Sequence, residues 1–417
     1  MLRPSVAYDG TSRIQFLIAI ALSIFVPACV GSCRGKDDTI PVAPREVDDA
    51  FGSVRQRWFQ PQATWPRARP VVVGSVVVFG TGDQRLIARD RQTGIARWST
   101  RVSSYFPDDT APISGLDLVS SDGVVAAALT RNVVGVDVAS GQELWTYVPP
   151  PDTTASPQPG PGAVVVSGLV ADGGVLYVPA WGASVTALDI RTGQPRWVWR
   201  PSPAPQFRSG AQGASLSGDT LFVNVWNALN AQFTQSEAWL VALDRRSGRE
   251  LWRVVFPSYS FGTIVRGRPA LWRNLVVVAS EGGFLFAIDR TTQAIVWRHT
   301  PTVKHTTDAG PVIYGDVTYA DGGEDSVLAL NAADGKVLWR AYILTLATSD
   351  LLVTERRVYV NTDGFLNILD RATGRFLFRR VMPNAKGSAS LFATPAVAAD
   401  QEIYITVAGG AWSFLEP

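Results

Sequence analysis

One spacing recurs along the chain: an aspartate is followed four residues later by a glycine, and four residues after that by a tryptophan. Seven copies occur, and their aspartate-like positions are separated by 47, 52, 55, 45, 42 and 39 residues. A period of about 40 to 50 residues is typical of a β-propeller blade, a sheet of four antiparallel strands. The copies are Asp90, Gly94, Trp98; Asp137, Gly141, Trp145; Asp189, Gly193, Trp197; Asp244, Gly248, Trp252; Asp289, Gln293, Trp297; Asn331, Gly335, Trp339; and Asp370, Gly374, Phe378.

Each position of this repeat has a mechanical reason. The aspartate follows a strand, where its carboxylate can accept hydrogen bonds from the N–H groups of the coming turn. The glycine supplies the positive φ that closes a hairpin with a bulge. The tryptophan, on the outgoing strand, offers a large flat surface that packs against the neighbouring blade. Gln293 stands where the other copies have glycine, so it is expected to carry backbone strain or to use a different turn.

The number of blades follows from the two ends of the repeat array. Three strand-like runs follow the seventh copy, at residues 394–397, 403–407 and 410–415. Residues 54–58 resemble an isolated outer strand, with Trp58 in the tryptophan position of the repeat. We therefore predict an all-β fold, an eight-bladed propeller of four-stranded antiparallel blades. An N-terminal strand is expected to complete the C-terminal blade, which removes free sheet edges.

The N-terminal residues predict export. Basic residues precede an apolar run at 14–26, followed by small residues and cysteine, which is the layout of a secretory signal and is short for a spanning helix. Cys29, or else Cys33, is the expected lipidation site of a lipobox. An uncleaved anchor with incidental cysteines is the alternative. The predicted organisation is a signal peptide with lipobox at 1–33, a flexible tether at 34–50 and one propeller at 51–417.

Composition and motifs exclude several functions. The formal net charge is only +2, which argues against nucleic acid as a partner. The two cysteines both lie in the first 33 residues, so no disulfide framework is expected in the propeller. His299 and His305 are the only histidines, their five-residue gap is not a familiar metal spacing, and no nucleophile motif accompanies Asp308. We predict no catalytic, cofactor-binding or metal-binding residues and no cofactor.

A binding surface is expected on the face opposite the aspartate and glycine turns. The connections on that face are longer and more varied, and binding residues concentrate on loops held by a rigid scaffold. An insertion at residues 227–235 falls on the same face. These loops either bind a partner or fold inward and plug the axial channel, and their aromatic residues are Tyr105, Phe106, Phe207, Phe233, Tyr259 and Phe261.

The repeat resembles the tryptophan-docking repeats of quinoprotein-like (PQQ-like) propellers over almost the whole chain from residue 53 onward. Quinoprotein dehydrogenases resemble it too, but typically they are larger, use adjacent cysteines beside the quinone and hold calcium. A body without cysteine or a recognisable calcium cluster disfavours that branch. The length and the lipobox are similar to those of BamB-like lipoproteins, which support β-barrel insertion at the bacterial outer membrane.

This resemblance implies a lipid-anchored scaffold of the cell envelope, on the periplasmic side or the surface, that binds protein rather than catalysing a reaction. A β-barrel assembly complex is the implied partner, and a monomeric propeller is expected. Because one propeller scaffold hosts many functions, two alternatives stay open. They are a periplasmic or surface propeller that binds carbohydrate or peptide, and a residual quinoprotein enzyme.

Overall fold

A computed structural model describes the propeller region of the chain, and all of the described residues lie within the compact unit 40–417. They are 55–61, 68–81, 83–102, 116–129, 131–150, 168–207, 209–230, 234–256, 265–280, 282–302, 309–323, 325–343, 350–362, 365–381, 397–407 and 410–416. Among these residues, no helix has the length and apolar character needed to cross a membrane.

The described strands form eight sheets, which are the blades of a β-propeller, as the repeat predicted. The chain opens with β1 (Arg55–Pro61) and β2 (Ala68–Arg69). Blade one contains β3 (Val71–Val73), β4 (Val76–Gly80), β5 (Arg85–Asp90) and β6 (Ala96–Arg101); blade two β7 (Leu116–Ser121), β8 (Val124–Ala128), β9 (Val133–Asp137) and β10 (Glu143–Tyr147); blade three β11 (Val170–Asp172), β12 (Val175–Ala180), β13 (Ser184–Asp189) and β14 (Pro195–Trp199); and blade four β15 (Ser209–Ser217), β16 (Thr220–Ala228), β17 (Ser236–Asp244) and β18 (Glu250–Phe256).

The second half continues in the same order. Blade five contains β19 (Val265–Trp272), β20 (Leu275–Ser280), β21 (Leu285–Asp289) and β22 (Ile295–His299); blade six β23 (Val312–Tyr314), β24 (Val317–Gly323), β25 (Ser326–Asn331) and β26 (Val337–Tyr342); blade seven β27 (Leu352–Val353), β28 (Arg357–Thr362), β29 (Phe365–Asp370) and β30 (Phe376–Val381); and the last sheet β31 (Val397–Ala399), β32 (Glu402–Val407) and β33 (Gly410–Leu415). Neighbouring strands within a blade are antiparallel, and the two-residue β2 pairs with β7 in parallel.

The last sheet, blade eight, combines strands from both ends of the described region. Its strand order is β1, β33, β32, β31, and β1 pairs with β33 in the antiparallel sense, with Trp58 opposite Ser413 and Gln60 opposite Ala411. Trp58 is buried, and its indole N–H donates to the carbonyl of Arg91 in blade one at 2.8 Å. Arg91 in turn donates to the hydroxyl of Tyr404 at 3.0 Å, so blades eight and one contact each other through both backbone and side chains.

Sequence explains which strands lie inside. The second strand of a blade has a neighbouring blade on both faces, so Val76–Gly80 and Val124–Ala128 are continuous apolar runs that are buried at every position. The outermost strand alternates instead, as β6 does with exposed and half-buried residues. The cores therefore lie between blades, as where Phe222 and Leu240 of blade four meet Val276 and Phe286 of blade five.

Candidate functional site

The aspartates of the repeat are held in their turns by local hydrogen bonds. Oδ1 of Asp137 accepts from the backbone N–H of Ser140 at 2.7 Å and from its hydroxyl at 2.6 Å. Oδ2 of Asp90 accepts from Arg97 at 2.6 Å; this bond, with the N–H of Thr93, lowers the pKa of Asp90 from 3.8 to about 2. These carboxylates are charged and occupied at neutral pH, so they are poor candidates for acid or base catalysis.

The glycine and tryptophan of the repeat join successive blades. Trp98 of blade one donates from Nε1 to the carbonyl of Val138 in blade two at 2.7 Å, and its ring covers Gly141. Gly141 has φ +76°, and a Cβ added there would stand 2.6 Å from the indole ring. The same bond to the next blade is made by Trp58 to Arg91, Trp145 to Ile190, Trp197 to Arg245, Trp297 to Ala332 and Trp339 to Arg371.

The junction between blades four and five is different. Gln293 keeps the turn of the other copies, with its N–H donating to the carbonyl of Asp289 at 2.8 Å, and it does so at φ +58°. Within the described residues, no hydrogen bond joins the indole of Trp252 to Arg290, although the equivalent bond is present at six other junctions. Trp252 instead packs on Phe222, with ring centroids 5.8 Å apart. Gln293 thus takes the strained conformation rather than a different turn.

Two arginines and two aspartates cluster where the innermost strands begin. Arg268 of blade five donates to Oδ2 of Asp117 in blade two at 2.9 Å, and the same oxygen accepts from the N–H of Gly168 at 2.5 Å. Asp350 accepts from the N–H of Gly310 at 2.9 Å. Burial raises the pKa of Asp350, against the opposing effects of the Gly310 N–H and of the Arg69 charge. These charges partner each other across blades, so this cluster serves the structure.

A groove lies on blade four, on the face opposite the aspartate–glycine turns of the repeat. Strands β15, β16 and β17 are nine residues long, whereas β8 and β9 of blade two have five, so the blade-four hairpin is extended. The link between β14 and β15 lies against this extension. Together they form a cavity of about 420 Å³, the blade-four groove, lined by Pro205, Phe207, Asn227, Leu229, Glu237, Trp239, Arg253 and Val255 among others.

The two charged residues that line the groove differ in their partners. Arg253 makes two bonds to the carboxylate of Glu250, at 2.6 and 2.7 Å, and its guanidinium carbon lies 4.8 Å from the ring centroid of Trp239. Arg253 is therefore neutralised, and it covers the Trp239 ring. Glu237 accepts one hydrogen bond, from Nδ2 of Asn227 at 3.1 Å, and pairs with no lysine or arginine of the described residues. The groove is apolar with one unneutralised carboxylate.

Of the aromatic residues predicted to bind a partner, the structure describes Phe207, which lines the groove. The residues that lie outside the described part of the chain are 1–50, with Cys29 and Cys33, and also Tyr105, Phe106, Phe233, Tyr259, Phe261, His305 and Asp308. His299 ends β22, and burial, together with the charge of Arg340, lowers its pKa. No group of three or more His, Cys, Asp or Glu side chains in the described residues could hold a metal ion.

Sequence reasoning missed most of the groove. Leu229 lies within the insertion at 227–235 that the sequence does indicate, and Glu237 follows it by two residues, so their region was identified but their roles were not. Val255 lies on the outermost strand of blade four, together with Arg253. Exposed apolar residues also occur on the outermost strands of other blades, such as Val296 and Leu338, so Val255 does not stand out in the sequence. Nothing in the one-dimensional pattern shows that this strand end and the β14–β15 link share one cavity.

Comparisons with known proteins agree with the repeat. A family model described as outer membrane protein assembly factor BamB matches residues 52–224 and 236–413. The outer membrane protein assembly factor BamB of Burkholderia pseudomallei is 26% identical over 355 residues, which cover 83% of this chain and 83% of that protein. A 1-butanol dehydrogenase (quinone) of Thauera butanivorans is 31% identical over 153 residues, but these cover 33% of this chain and only 23% of the dehydrogenase.

A solved structure gives the same likeness at the level of the fold. The crystal structure of BamB from Moraxella catarrhalis superposes with a TM-score of 0.55 and 21% identity, covering 71% of this chain and 82% of that one.

Proposed function

Because this chain belongs to the family of outer membrane protein assembly factor BamB, we propose that it is a cell-envelope scaffold that binds protein partners during outer membrane protein assembly. The observation that carries the proposal is the extent of the family match, which includes strands of all eight blades and is interrupted in blade four, at residues 225–235. By contrast, the likeness to the quinone-dependent dehydrogenase is limited to less than a quarter of that enzyme. The finer proposal is that the partner is a complex that inserts β-barrels.

In this proposal the propeller acts by presenting a fixed surface. The tryptophan hydrogen bonds join neighbouring blades, and the ion pair of Arg268 with Asp117 joins blades five and two, so a groove built on one blade keeps its shape. The blade-four groove is the proposed docking surface because apolar side chains converge there in a concave site beside a carboxylate. Binding a partner to a preformed surface loses less conformational entropy than ordering a loop would.

The proposal includes attachment to the envelope. Residues 1–33 act as a signal and lipobox, Cys29 or Cys33 carries the lipid, and residues 34–50 tether the propeller. One lipid-modified cysteine would hold the scaffold at a membrane surface while the propeller stays in water.

Carbohydrate binding is the weaker reading of the same groove. Sugar rings stack on exposed aromatic faces, yet Trp239 is 6% exposed and its ring is covered by Arg253. An enzymatic role has less support still. The repeat aspartates accept hydrogen bonds within their turns, and Asp117 is paired with Arg268, so these carboxylates are already engaged. We therefore keep protein binding as the proposed function.

The test is capture of the complete, tagged chain from detergent-solubilised envelopes of its own host. We expect proteins of the outer membrane assembly machinery to copurify at near-constant ratio. The test variant carries Leu229→Ser and Val255→Ser, which remove apolar surface from the groove. The matched control carries Val296→Ser and Leu338→Ser, which remove apolar surface from the outer strands of blades five and six. Loss of capture in the first pair alone supports the proposal. Capture of no envelope assembly protein by the unmodified chain contradicts it.

A further inference from the structure

We infer that the blade-four groove recognises a segment of its partner that presents an apolar side chain next to a lysine or arginine. This inference rests on the proposed function, since it names the chemistry of what docks there. It goes beyond the family match, which identifies no contact residue of this chain.

Three side chains give the groove its apolar surface. Leu229 is 42% exposed and Val255 is 51% exposed, and both line the same cavity as the partly exposed Phe207. Apolar residues exposed singly are ordinary on a protein surface, but convergence in one concavity marks a place where apolar surface is buried on binding. The cavity, at about 420 Å³, has room for one or two large side chains.

Two carboxylates at the groove, those of Glu250 and Glu237, differ in whether a cation neutralises them. Glu250 is neutralised by Arg253 through two hydrogen bonds. Glu237 is partly buried, accepts a hydrogen bond only from the neutral Asn227, and has no cation among the described residues. Arg253 and Glu237 are the charged residues of the groove lining, and Glu250 beside the groove neutralises Arg253, so these three groups sum to one negative charge. A partner's ammonium or guanidinium group would complete the pair with Glu237.

Asn227 holds the Glu237 carboxylate in place. It lies directly opposite Glu237 in the β16–β17 register and donates to it from Nδ2 at 3.1 Å. A lysine or arginine of the partner has several N–H groups, so it can donate to both oxygens of this carboxylate. An acidic segment would instead bring like charges together, which costs affinity and gives the groove its selectivity.

The experiment uses the complete chain and a fluorescent peptide of alternating leucine and lysine, titrated by anisotropy. Two further peptides carry glutamate or acetyl-lysine in place of lysine. We expect the leucine–lysine peptide to bind most tightly. Glu237→Gln should weaken it about fivefold, the scale of a partly exposed ion pair, while leaving the acetyl-lysine peptide unchanged. Glu355→Gln, an exposed carboxylate outside the groove, is the matched control.

Charge reversal gives the sharper readout. Glu237→Lys should transfer the preference to the leucine–glutamate peptide, a gain that loss of folding cannot produce. Val255→Ser should weaken all three peptides, while Val296→Ser, which is 50% exposed on blade five, should weaken none. If Glu237→Gln and Glu237→Lys leave the order of the peptides unchanged, the inference is overturned. Capture of assembly proteins would still stand in that case, so the failure of the inference and of the proposed function remain distinguishable.

Discussion

The turns of the repeat and the blade-four groove use the same kinds of side chain in opposite ways. In the turns, carboxylates accept bonds from their own loop and tryptophans donate to the next blade, as Asp137 and Trp98 do. In the groove, Glu237 has no cationic partner among the residues that the structure describes, and Leu229 and Val255 are exposed. A group whose bonds are made within the chain contributes to stability, and a group left incomplete is available to a partner. Changes in the turns should therefore alter stability, and changes in the groove should alter binding.

The largest expected effect is from alanine at a junction glycine. Gly141→Ala places a Cβ against the Trp98 ring at 2.6 Å and a side chain at φ +76°, and should lower the free energy of unfolding by about 3 kcal/mol. Gly123→Ala is the matched control because it has φ +78° with nothing within 4 Å, so it should cost about 1 kcal/mol. Urea denaturation measures both. Equal losses would mean that the tryptophan contact adds nothing.

The tryptophan bond itself has a smaller expected effect. Trp98→Phe keeps an aromatic ring but removes the donor to Val138, and should cost about 1.5 kcal/mol more than the packing loss alone. Trp252→Phe removes an indole that lacks the equivalent bond, so it should cost about 1.5 kcal/mol less than Trp98→Phe. The same denaturation series tests this, and the comparison fails if Trp252→Phe is as costly as Trp98→Phe.

Gln293→Gly should stabilise the chain. Glycine relieves the strain of a side chain at φ +58°, and the greater freedom of the unfolded chain offsets part of the gain, leaving about 0.5 to 1 kcal/mol. Thermal unfolding followed by circular dichroism would measure a higher midpoint. A lower midpoint would show that the glutamine side chain makes a stabilising contribution larger than the strain.

The smallest effect appears in acid. The pKa values of Asp90, Asp137 and Asp189 are lowered by hydrogen bonds, first those from Arg97, Ser140 and Arg196 respectively. A carboxylate with a lowered folded pKa stabilises the fold above its ordinary pKa of 3.8, and this contribution is lost as the pH falls toward the folded value, about 2 for Asp90. We expect melting temperatures to be level from pH 7 to 5 and to fall below pH 4. Asp137→Asn should reduce that fall, and an unchanged pH profile in this variant would contradict the assignment.

Local chemistry explains what the sequence could predict. The repeat predicts blades because aspartate, glycine and tryptophan each act within one turn or on the adjacent blade, as Asp137, Gly141 and Trp98 illustrate. The sequence also predicts that the turn at Gln293 is either strained or of a different type, because this copy keeps the aspartate and the tryptophan of the repeat and replaces only the glycine. The sequence does not predict the groove, because its residues are distant in the chain and meet only in the folded protein. Phe207 lies in the β14–β15 link, Glu237 in the β16–β17 hairpin and Val255 near the end of β18. The ion pair of Asp117 with Arg268 is equally non-local, since the two lie 151 residues apart.

Photo-crosslinking in the host's envelope would show whether a rigid propeller binds its partner through one groove. A photoreactive amino acid would replace Phe207, Leu229 or Val255 in the groove, and Val296 or Leu338 on the outer strands of blades five and six. We expect crosslinks to an outer membrane assembly protein from the groove positions and none from the other two. Crosslinks to that protein from 296 or 338, with none from 207, 229 and 255, would contradict it.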